Sequence, residues 1–219
     1  MGERPAPMSP LHAVPERAAR TERGVEVRPT QARIDHGALA HNLGRVRGHI
    51  GPGCRVLAVV KADAYGHGAI EAARTFTEHG AWGLAVSLVE EGVELREGGI
   101  HAPVLVLGGV VPGSQDVLVH RQLTPVVWTP EHLQMLSAAV LRAGARPLPV
   151  HLQIDTGMSR LGVLPYELGP MLEWFRADDG RTLAFEGVMT HLACADDPGD
   201  DLSNARQLSQ FADCLGTIA

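Results

Sequence analysis

The sequence predicts an α/β fold with parallel strands: a (β/α)8 barrel of the TIM type that is incomplete in this chain. From residue 31 onward, short apolar segments alternate with amphipathic segments of helical period. This alternation is typical of parallel strands joined by crossover helices. Polar residues suited to chemistry directly follow three of the apolar segments. Only six strand–helix units can be counted, whereas a complete barrel has eight.

The predicted elements follow one another in a regular order. A short strand is predicted at residues 31–34, and Asp35 is placed to cap a helix that runs to about Ile50. Strands are then predicted at residues 55–60, 82–86, 104–107, 125–128, 149–154 and 183–190. Helices are predicted at residues 69–79, 88–97, 113–119, 131–143, 166–177 and 202–218.

Two architectures fit this alternation, an open doubly wound sheet and a barrel. Lys61, the segment 155–160 and His191 each stand directly after a predicted strand. The strand ends of a barrel meet at one mouth, so these residues would converge there, and the barrel is favoured. The first and sixth strands are then expected to flank a gap where two more belong. The 219 residues alone are expected to be poorly soluble and inactive.

The composition is that of an ordinary globular protein, with 45% hydrophobic and 20% charged residues. A net charge of −6 argues against nucleic acid and anionic membranes as partners, because both require basic surfaces. No membrane span and no secretory signal can be identified, so a cytoplasmic location is expected. Cys54, Cys194 and Cys214 lack metal-ligand spacing, which predicts reduced thiols and no metal. Residues 1–28 are predicted to be a disordered leader, and residues 29–219 the barrel domain.

Lys61 is the most informative single residue. The chain has 19 lysine and arginine residues together, and Lys61 is the only lysine among them. A composition that uses arginine for every other basic position indicates that Lys61 has a task that arginine cannot perform. A desolvated lysine can lose its proton and form a Schiff base, whereas arginine stays protonated. Lys61 is therefore predicted to be a reactive residue at the end of a buried strand.

Several motifs, in order along the chain, resemble those of one enzyme family. They are VKADAYGHGA at residues 60–69, EEGVELREGGI at residues 90–100, PVLVLG at residues 103–108, VHLQIDTGMSRLG at residues 150–162 and THLACAD at residues 190–196. Together they resemble the alanine racemases, which use pyridoxal 5'-phosphate and have fold type III. The resemblance covers nearly all of the predicted ordered chain.

The resemblance implies a role for four residues. Lys61 would hold the pyridoxal phosphate covalently and act as an acid and base on the α-carbon of the substrate. Tyr65 would contact the cofactor phosphate. Arg160 would contact the phenolic oxygen of the cofactor and the substrate carboxylate, since a guanidinium matches two carboxylate oxygens at once. His191 would pack against the pyridine ring.

The resemblance also implies an isomerase that interconverts L- and D-alanine and supplies D-alanine for bacterial peptidoglycan. The family forms homodimers in which a β-rich C-terminal domain follows the barrel. A tyrosine from the partner's C-terminal domain supplies the second catalytic base, and a later arginine bonds the pyridine nitrogen. Both groups are expected to lie outside this chain.

Gln153 departs from the family pattern. Many alanine racemases carry a carbamylated lysine at this position, and that carbamate orients the active-site arginine. Gln153 cannot be carbamylated, but its amide oxygen is expected to accept a hydrogen bond from Arg160. The lost negative charge leaves open a racemase for another amino acid, such as serine or a basic one. The sequence is also compatible with a single-domain protein that binds pyridoxal phosphate as a carrier, and with a truncated, inactive polypeptide.

Overall fold

The computed structural model describes residues 31–178, 180–197 and 199–218, so the leader predicted at residues 1–28 lies outside the described residues. The chain divides into a segment Met1–Asp35 and a unit His36–Ala219. In the first segment, residues 31–35 form neither helix nor strand, so the strand predicted at residues 31–34 is wrong. A strand requires a partner for its backbone groups, and four residues carry too little pattern to predict one.

The other predicted elements are confirmed, with ends that shift by one or two residues in most cases. The strands are β1 Leu57–Val59, β2 Gly83–Val86, β3 Val104–Val106, β4 Thr124–Val127, β5 Leu148–Gln153 and β6 Leu183–Met189. The helices are α1 His36–Ile50, α2 Lys61–Gly66, α3 Ala69–Glu78, α4 Val89–Glu97, α5 Gln115–His120, α6 Pro130–Ala143, α7 Leu168–Asp178 and α8 Asp201–Ile218. A 3-10 turn, Pro165–Glu167, precedes α7. The short segment α2 was not predicted.

The strand order decides between the two architectures. Within the described residues, all six strands are parallel and lie in the order β1-β2-β3-β4-β5-β6. A doubly wound sheet reverses its strand order at a switch point, whereas a barrel adds each strand beside the previous one. The observed sheet is open and follows the barrel order, as expected for an incomplete TIM barrel. The carboxyl ends of its strands all lie at one edge.

The two faces of the sheet pack differently. One face packs against the helices in a large core, to which Leu84, Val86 and Leu152 contribute. The opposite face carries a smaller cluster centred on Ala85, Leu105 and Val126. Side chains alternate along a strand, so the two clusters lie on opposite faces of the sheet. Because the helices cover the first face, the second face is the interior of the barrel. No helix within the described ranges is long and apolar enough to cross a membrane.

Burial also differs between the middle and the ends of the sheet. Every residue of β2, β3 and β4 is buried. In contrast, Val59 in β1 is 42% exposed and Phe185 in β6 is 37% exposed. The two end strands therefore leave apolar side chains partly exposed, as the sequence predicted for an incomplete barrel.

Candidate active site

Lys61 lies at the carboxyl end of β1, at the start of α2. The preceding residue, Val60, is almost fully buried and donates its backbone N–H to the Ala85 carbonyl of β2 at 2.9 Å. The Lys61 side chain is partly exposed, and its Nζ lies 5.9 Å from the centre of the Tyr65 ring. The position at a strand's carboxyl end matches the prediction.

The segment after Lys61 is a left-handed helical turn. Ala62, Asp63, Ala64 and Tyr65 have φ values of 51°, 54°, 51° and 56°. This conformation costs L-residues about 1–2 kcal/mol each, because Cβ approaches the following carbonyl oxygen. A strained segment of this kind persists only where its surroundings hold it in place. The turn leaves Tyr65 63% exposed, so Tyr65 is not a packing residue of the core.

Local hydrogen bonds stabilise the end of this turn. The Gly68 N–H donates to the Asp63 carbonyl at 3.0 Å. The Asp63 carboxylate accepts from the Ala69 N–H, the first residue of α3, at 2.7 Å. Asp63 therefore joins the turn to the following helix.

Glu91 holds the beginning of the turn from another element. Its Oε1 accepts from the Ala62 N–H at 2.6 Å, and its Oε2 accepts from the Ser87 and Leu88 N–H groups at 2.7 and 2.9 Å. One carboxylate of α4 thus connects the residue after Lys61 with the end of β2. The sequence motifs predicted no role for Glu91, although a glutamate in the first turn of a helix is typical of a capping residue.

Arg160 lies in a tight loop after β5. The buried Asp155 carboxylate accepts from the Gly157 N–H at 2.9 Å and from the Ser159 N–H at 3.0 Å. Gly162, with φ of +127°, closes the loop against the strand, and a Cβ there would lie 2.5 Å from the Asp155 nitrogen. Arg160 is exposed, and its side chain has no hydrogen bond or ion pair with any residue that the structure describes. Its guanidinium is therefore available to a ligand.

The expected hydrogen bond between Gln153 and Arg160 is wrong. Gln153 is 5% exposed, and its Nε2 donates to the Leu161 carbonyl at 2.9 Å. The tight loop brings a backbone carbonyl within reach of the amide, and a carbonyl can only accept. Gln153 therefore holds the loop beside Arg160 instead of pairing with the guanidinium.

His191 follows β6 and is exposed. Its loop is joined to the Arg160 loop by the buried Gln207 of α8, which is 4% exposed. Gln207 Nε2 donates to the His191 carbonyl at 2.9 Å and to Thr156 Oγ1 at 3.2 Å, and its Oε1 accepts from the Ala193 N–H at 2.9 Å. Sequence reasoning missed Gln207. The available signal was a polar residue seven positions before Cys214, on the face of α8 that packs inward.

Thr190 adds a second connection between these loops. Its Oγ1 lies 2.8 Å from Thr156 Oγ1 and donates to the Ile154 carbonyl at 2.9 Å.

The Cys194 thiol lies in the loop after His191. A hydrogen bond with the Asp200 carboxylate raises the pKa of this thiol. That thiol stays protonated, so it is a poor nucleophile.

The predicted site residues thus form two groups at the carboxyl edge of the sheet. Lys61 and Tyr65 form the first group at β1, and the loops of Arg160 and His191 form the second at β5 and β6. No hydrogen bond joins the two groups among the described residues. A primary amine, a free guanidinium and an imidazole at one edge suit an aldehyde cofactor with a phosphate group and a carboxylate substrate. The donor set therefore fits pyridoxal phosphate.

Comparison with known proteins gives one consistent result. The family model "Alanine racemase, N-terminal domain" matches residues 34–219. The curated alanine racemase of Synechocystis sp. is 40% identical over 186 residues, which cover 84% of this chain and 49% of that relative. The curated alanine racemase of Symbiobacterium thermophilum is 41% identical over 199 residues, which cover 88% of this chain and 50% of that relative.

Solved structures agree with the sequence comparison. The crystal structure of alanine racemase from D-cycloserine-producing Streptomyces lavendulae has a TM-score of 0.80 and 33% identity, and the match covers 84% of this chain and 48% of that one. The alanine racemase of Streptomyces coelicolor has a TM-score of 0.79, again with 33% identity, over 84% of this chain and 49% of that one. This chain spans about half the length of the relatives that it matches.

Proposed function

This chain belongs to the alanine racemase family, and we propose that it forms the barrel half of a pyridoxal-phosphate-dependent enzyme that interconverts L- and D-alanine. The observation that carries the proposal is the position of Lys61. The only lysine of the chain stands at a strand's carboxyl end, directly before a left-handed turn held by Glu91. A lysine at the carboxyl edge of barrel strands is placed where active sites form.

The four predicted site residues have distinct tasks in this proposal. Pyridoxal phosphate, when bound, supplies an electron sink that makes the α-proton of the amino acid acidic. Lys61 holds the cofactor and, once its amine is free, takes or returns a proton at the α-carbon. The exposed guanidinium of Arg160 binds the substrate carboxylate, the exposed phenol of Tyr65 binds the cofactor phosphate, and His191 packs against the ring.

We also propose a homodimeric, cytoplasmic enzyme that supplies D-alanine for peptidoglycan. Inversion at the α-carbon requires proton-transfer groups on both of its faces, and Lys61 serves one face only. The second group would come from the partner subunit. The net charge of −6 supports small amino-acid substrates over nucleic acid or membrane partners.

Trapping the cofactor on Lys61 tests the proposed function. We propose that this chain is the N-terminal half of a longer protein, and the experiment uses that longer protein. Borohydride should fix pyridoxal phosphate to the peptide that contains Lys61. Lys61→Ala and Lys61→Arg should both abolish the trapping and D-alanine formation, because arginine keeps the charge but is not a nucleophile. Trapping on another residue, or D-alanine formation by Lys61→Arg, would contradict the assignment.

One observation favours a second substrate. Gln153 is neutral and bonds to a backbone carbonyl, so the described residues give Arg160 no anionic partner. A racemase for serine or another amino acid is therefore the alternative. Racemisation rates with L-alanine and L-serine, measured side by side on the longer protein, separate the two. A higher kcat/KM for serine would replace alanine as the proposed substrate.

A further inference from the structure

We propose that Glu91 is a positioning residue for Lys61, an inference that rests on the proposed function of Lys61. Glu91 lies in the first turn of α4 and touches neither Lys61 nor Tyr65 through a described hydrogen bond. Its carboxylate instead binds the N–H of Ala62, which belongs to the peptide bond that leaves Lys61. The residue therefore acts on the lysine through the backbone.

The contacts of Glu91 exceed those of a helix cap. A glutamate at this helix position ordinarily reaches back to the N–H groups at the start of its own helix, and Oε2 of Glu91 does so at Ser87 and Leu88. Oε1 forms the shorter bond, 2.6 Å to Ala62, a residue 29 positions earlier in the chain. Capping requires no such bond, so one oxygen serves the helix and the other serves the turn after Lys61.

Only a carboxylate can accept all three hydrogen bonds. A glutamine has one acceptor oxygen and one NH2 group, and the NH2 group would face at least one of the three N–H donors. Glu91→Gln therefore replaces an attraction with a repulsion while the shape stays the same. The bond at Ala62 is also charge-assisted, which makes it stronger than a neutral hydrogen bond.

The left-handed turn explains why this hydrogen bond matters for Lys61. Ala62, Asp63, Ala64 and Tyr65 all adopt positive φ, a conformation that ordinary residues leave unless it is held. Asp63 holds the far end of the turn through Ala69, and Glu91 holds the near end, directly after Lys61. Without Glu91 the turn can relax toward the right-handed region. The directions of the Lys61 amine and the Tyr65 phenol would then change together.

The test compares Glu91→Gln with two control variants in the longer protein. Thr129→Ala removes a cap from α6, where Thr129 accepts from the His132 N–H at 3.3 Å, and it lies outside the Lys61 turn. Glu90→Gln removes an exposed charge next to Glu91. Two quantities are measured on folded protein. One is the acylation of Lys61 by acetic anhydride in the cofactor-free protein, relative to the N-terminal amine and resolved by peptide. The other is the dissociation constant of pyridoxal phosphate.

Glu91→Gln should weaken cofactor binding by about 10- to 100-fold, the factor that corresponds to one hydrogen bond to a charged group. It should also raise the acylation of Lys61 several-fold, because a relaxed turn exposes the amine. Both controls should leave the two quantities within about twofold of the wild type, since surface changes of this kind have small effects. A folded Glu91→Gln protein that behaves like Thr129→Ala would overturn the inference.

Glu91→Asp covers the case in which Glu91→Gln does not fold. Aspartate keeps the charge but is one methylene shorter, so it cannot reach all three donors, and a smaller change in the same direction is expected. Unchanged Lys61 acylation in Glu91→Asp would refute the positioning role. Acylation needs no cofactor, so it still reports on Glu91 if the wild-type protein fails to bind pyridoxal phosphate at Lys61, a result that would refute the proposed function instead.

Discussion

The turn after β1 and the loops after β5 and β6 are held in place by different kinds of contact. At β1, Lys61 stands before four consecutive residues with positive φ, and one carboxylate, Glu91, fixes the start of that turn. At β5 and β6, the loops that carry Arg160 and His191 are held by many bonds, most of them between neutral groups. Both arrangements present polar side chains at the carboxyl edge of the sheet.

This difference predicts how a single substitution affects the turn after β1 and the loops after β5 and β6. On the β1 side Glu91 supplies the described side-chain hydrogen bond that reaches the turn from another element, so its substitution should release the start of the turn. On the β5–β6 side Asp155, Gln153, Thr190 and Gln207 share the task, so the loss of one should be partial. Steric contact is the exception, because a backbone clash cannot be shared among neighbours.

The largest effect is therefore expected at Gly162 of the second side. A Cβ at this residue would lie 2.5 Å from the Asp155 nitrogen and 2.8 Å from the Ile154 carbonyl carbon, and its φ is +127°. Gly162→Ala should lower the free energy of unfolding by about 3 kcal/mol or more. Gly66→Ala is the matched control, since Gly66 has φ of +84° and no atom within 4 Å of the added Cβ. Its cost should be about 1–2 kcal/mol. Urea denaturation measures both, and equal losses would contradict the close approach at Gly162.

The next effect concerns the link between the loops. Gln207→Met keeps the volume of the buried side chain but removes its hydrogen bonds to Thr156, His191 and Ala193. We expect a loss of about 1–3 kcal/mol in unfolding free energy, because the freed groups lie in partly buried surroundings. Gln210→Met, an exposed glutamine on the same helix, should change stability by about 0.5 kcal/mol or less. Thermal and chemical unfolding measure the stability of both variants. Equal stability of Gln207→Met and Gln210→Met would contradict a stabilising role for the hydrogen bonds of Gln207.

The comparison also shows what the sequence could predict. Apolar segments such as 104–107 and 125–128 gave the strands, because burial on both faces of a parallel sheet leaves a plain hydrophobic pattern. Lys61 and His191 were predicted to follow strands directly, and the structure places both there. Arg160 lies farther along, in the loop that follows β5. Their proposed roles come from the family resemblance.

The sequence could not predict what holds these residues in place. Ala-Asp-Ala-Tyr has a local preference for right-handed helix, and the left-handed turn depends on Glu91, 29 residues later in the chain. The partner of Gln153 was also predicted wrongly, because an amide can donate as well as accept. Only the loop geometry, with Leu161 turned toward the strand, decides between these two roles.

A smaller effect is expected when Arg160 becomes lysine. Arg160 is exposed and free of described partners, so Arg160→Lys should hardly change stability. It should raise KM for the amino acid by about tenfold, since a point charge loses the two-oxygen geometry of the guanidinium and with it about one hydrogen bond. Steady-state kinetics on the longer protein, with the free energy of unfolding as the control measurement, would test this. An unchanged KM would remove Arg160 from the substrate site.

The last prediction is that dissolved CO2 has no effect on the activity of the longer protein. A family member with a lysine at the position of Gln153 needs CO2 to carbamylate it, and the carbamate then orients the arginine. Gln153 has no nucleophilic amine, and its amide is already bonded to the Leu161 carbonyl. Activity of the longer protein should therefore be the same in CO2-free and bicarbonate buffer. Gln153→Lys should acquire a dependence on CO2, because the new amine can form a carbamate. CO2-dependent activity of the wild-type protein would mean that another residue carries the carbamate.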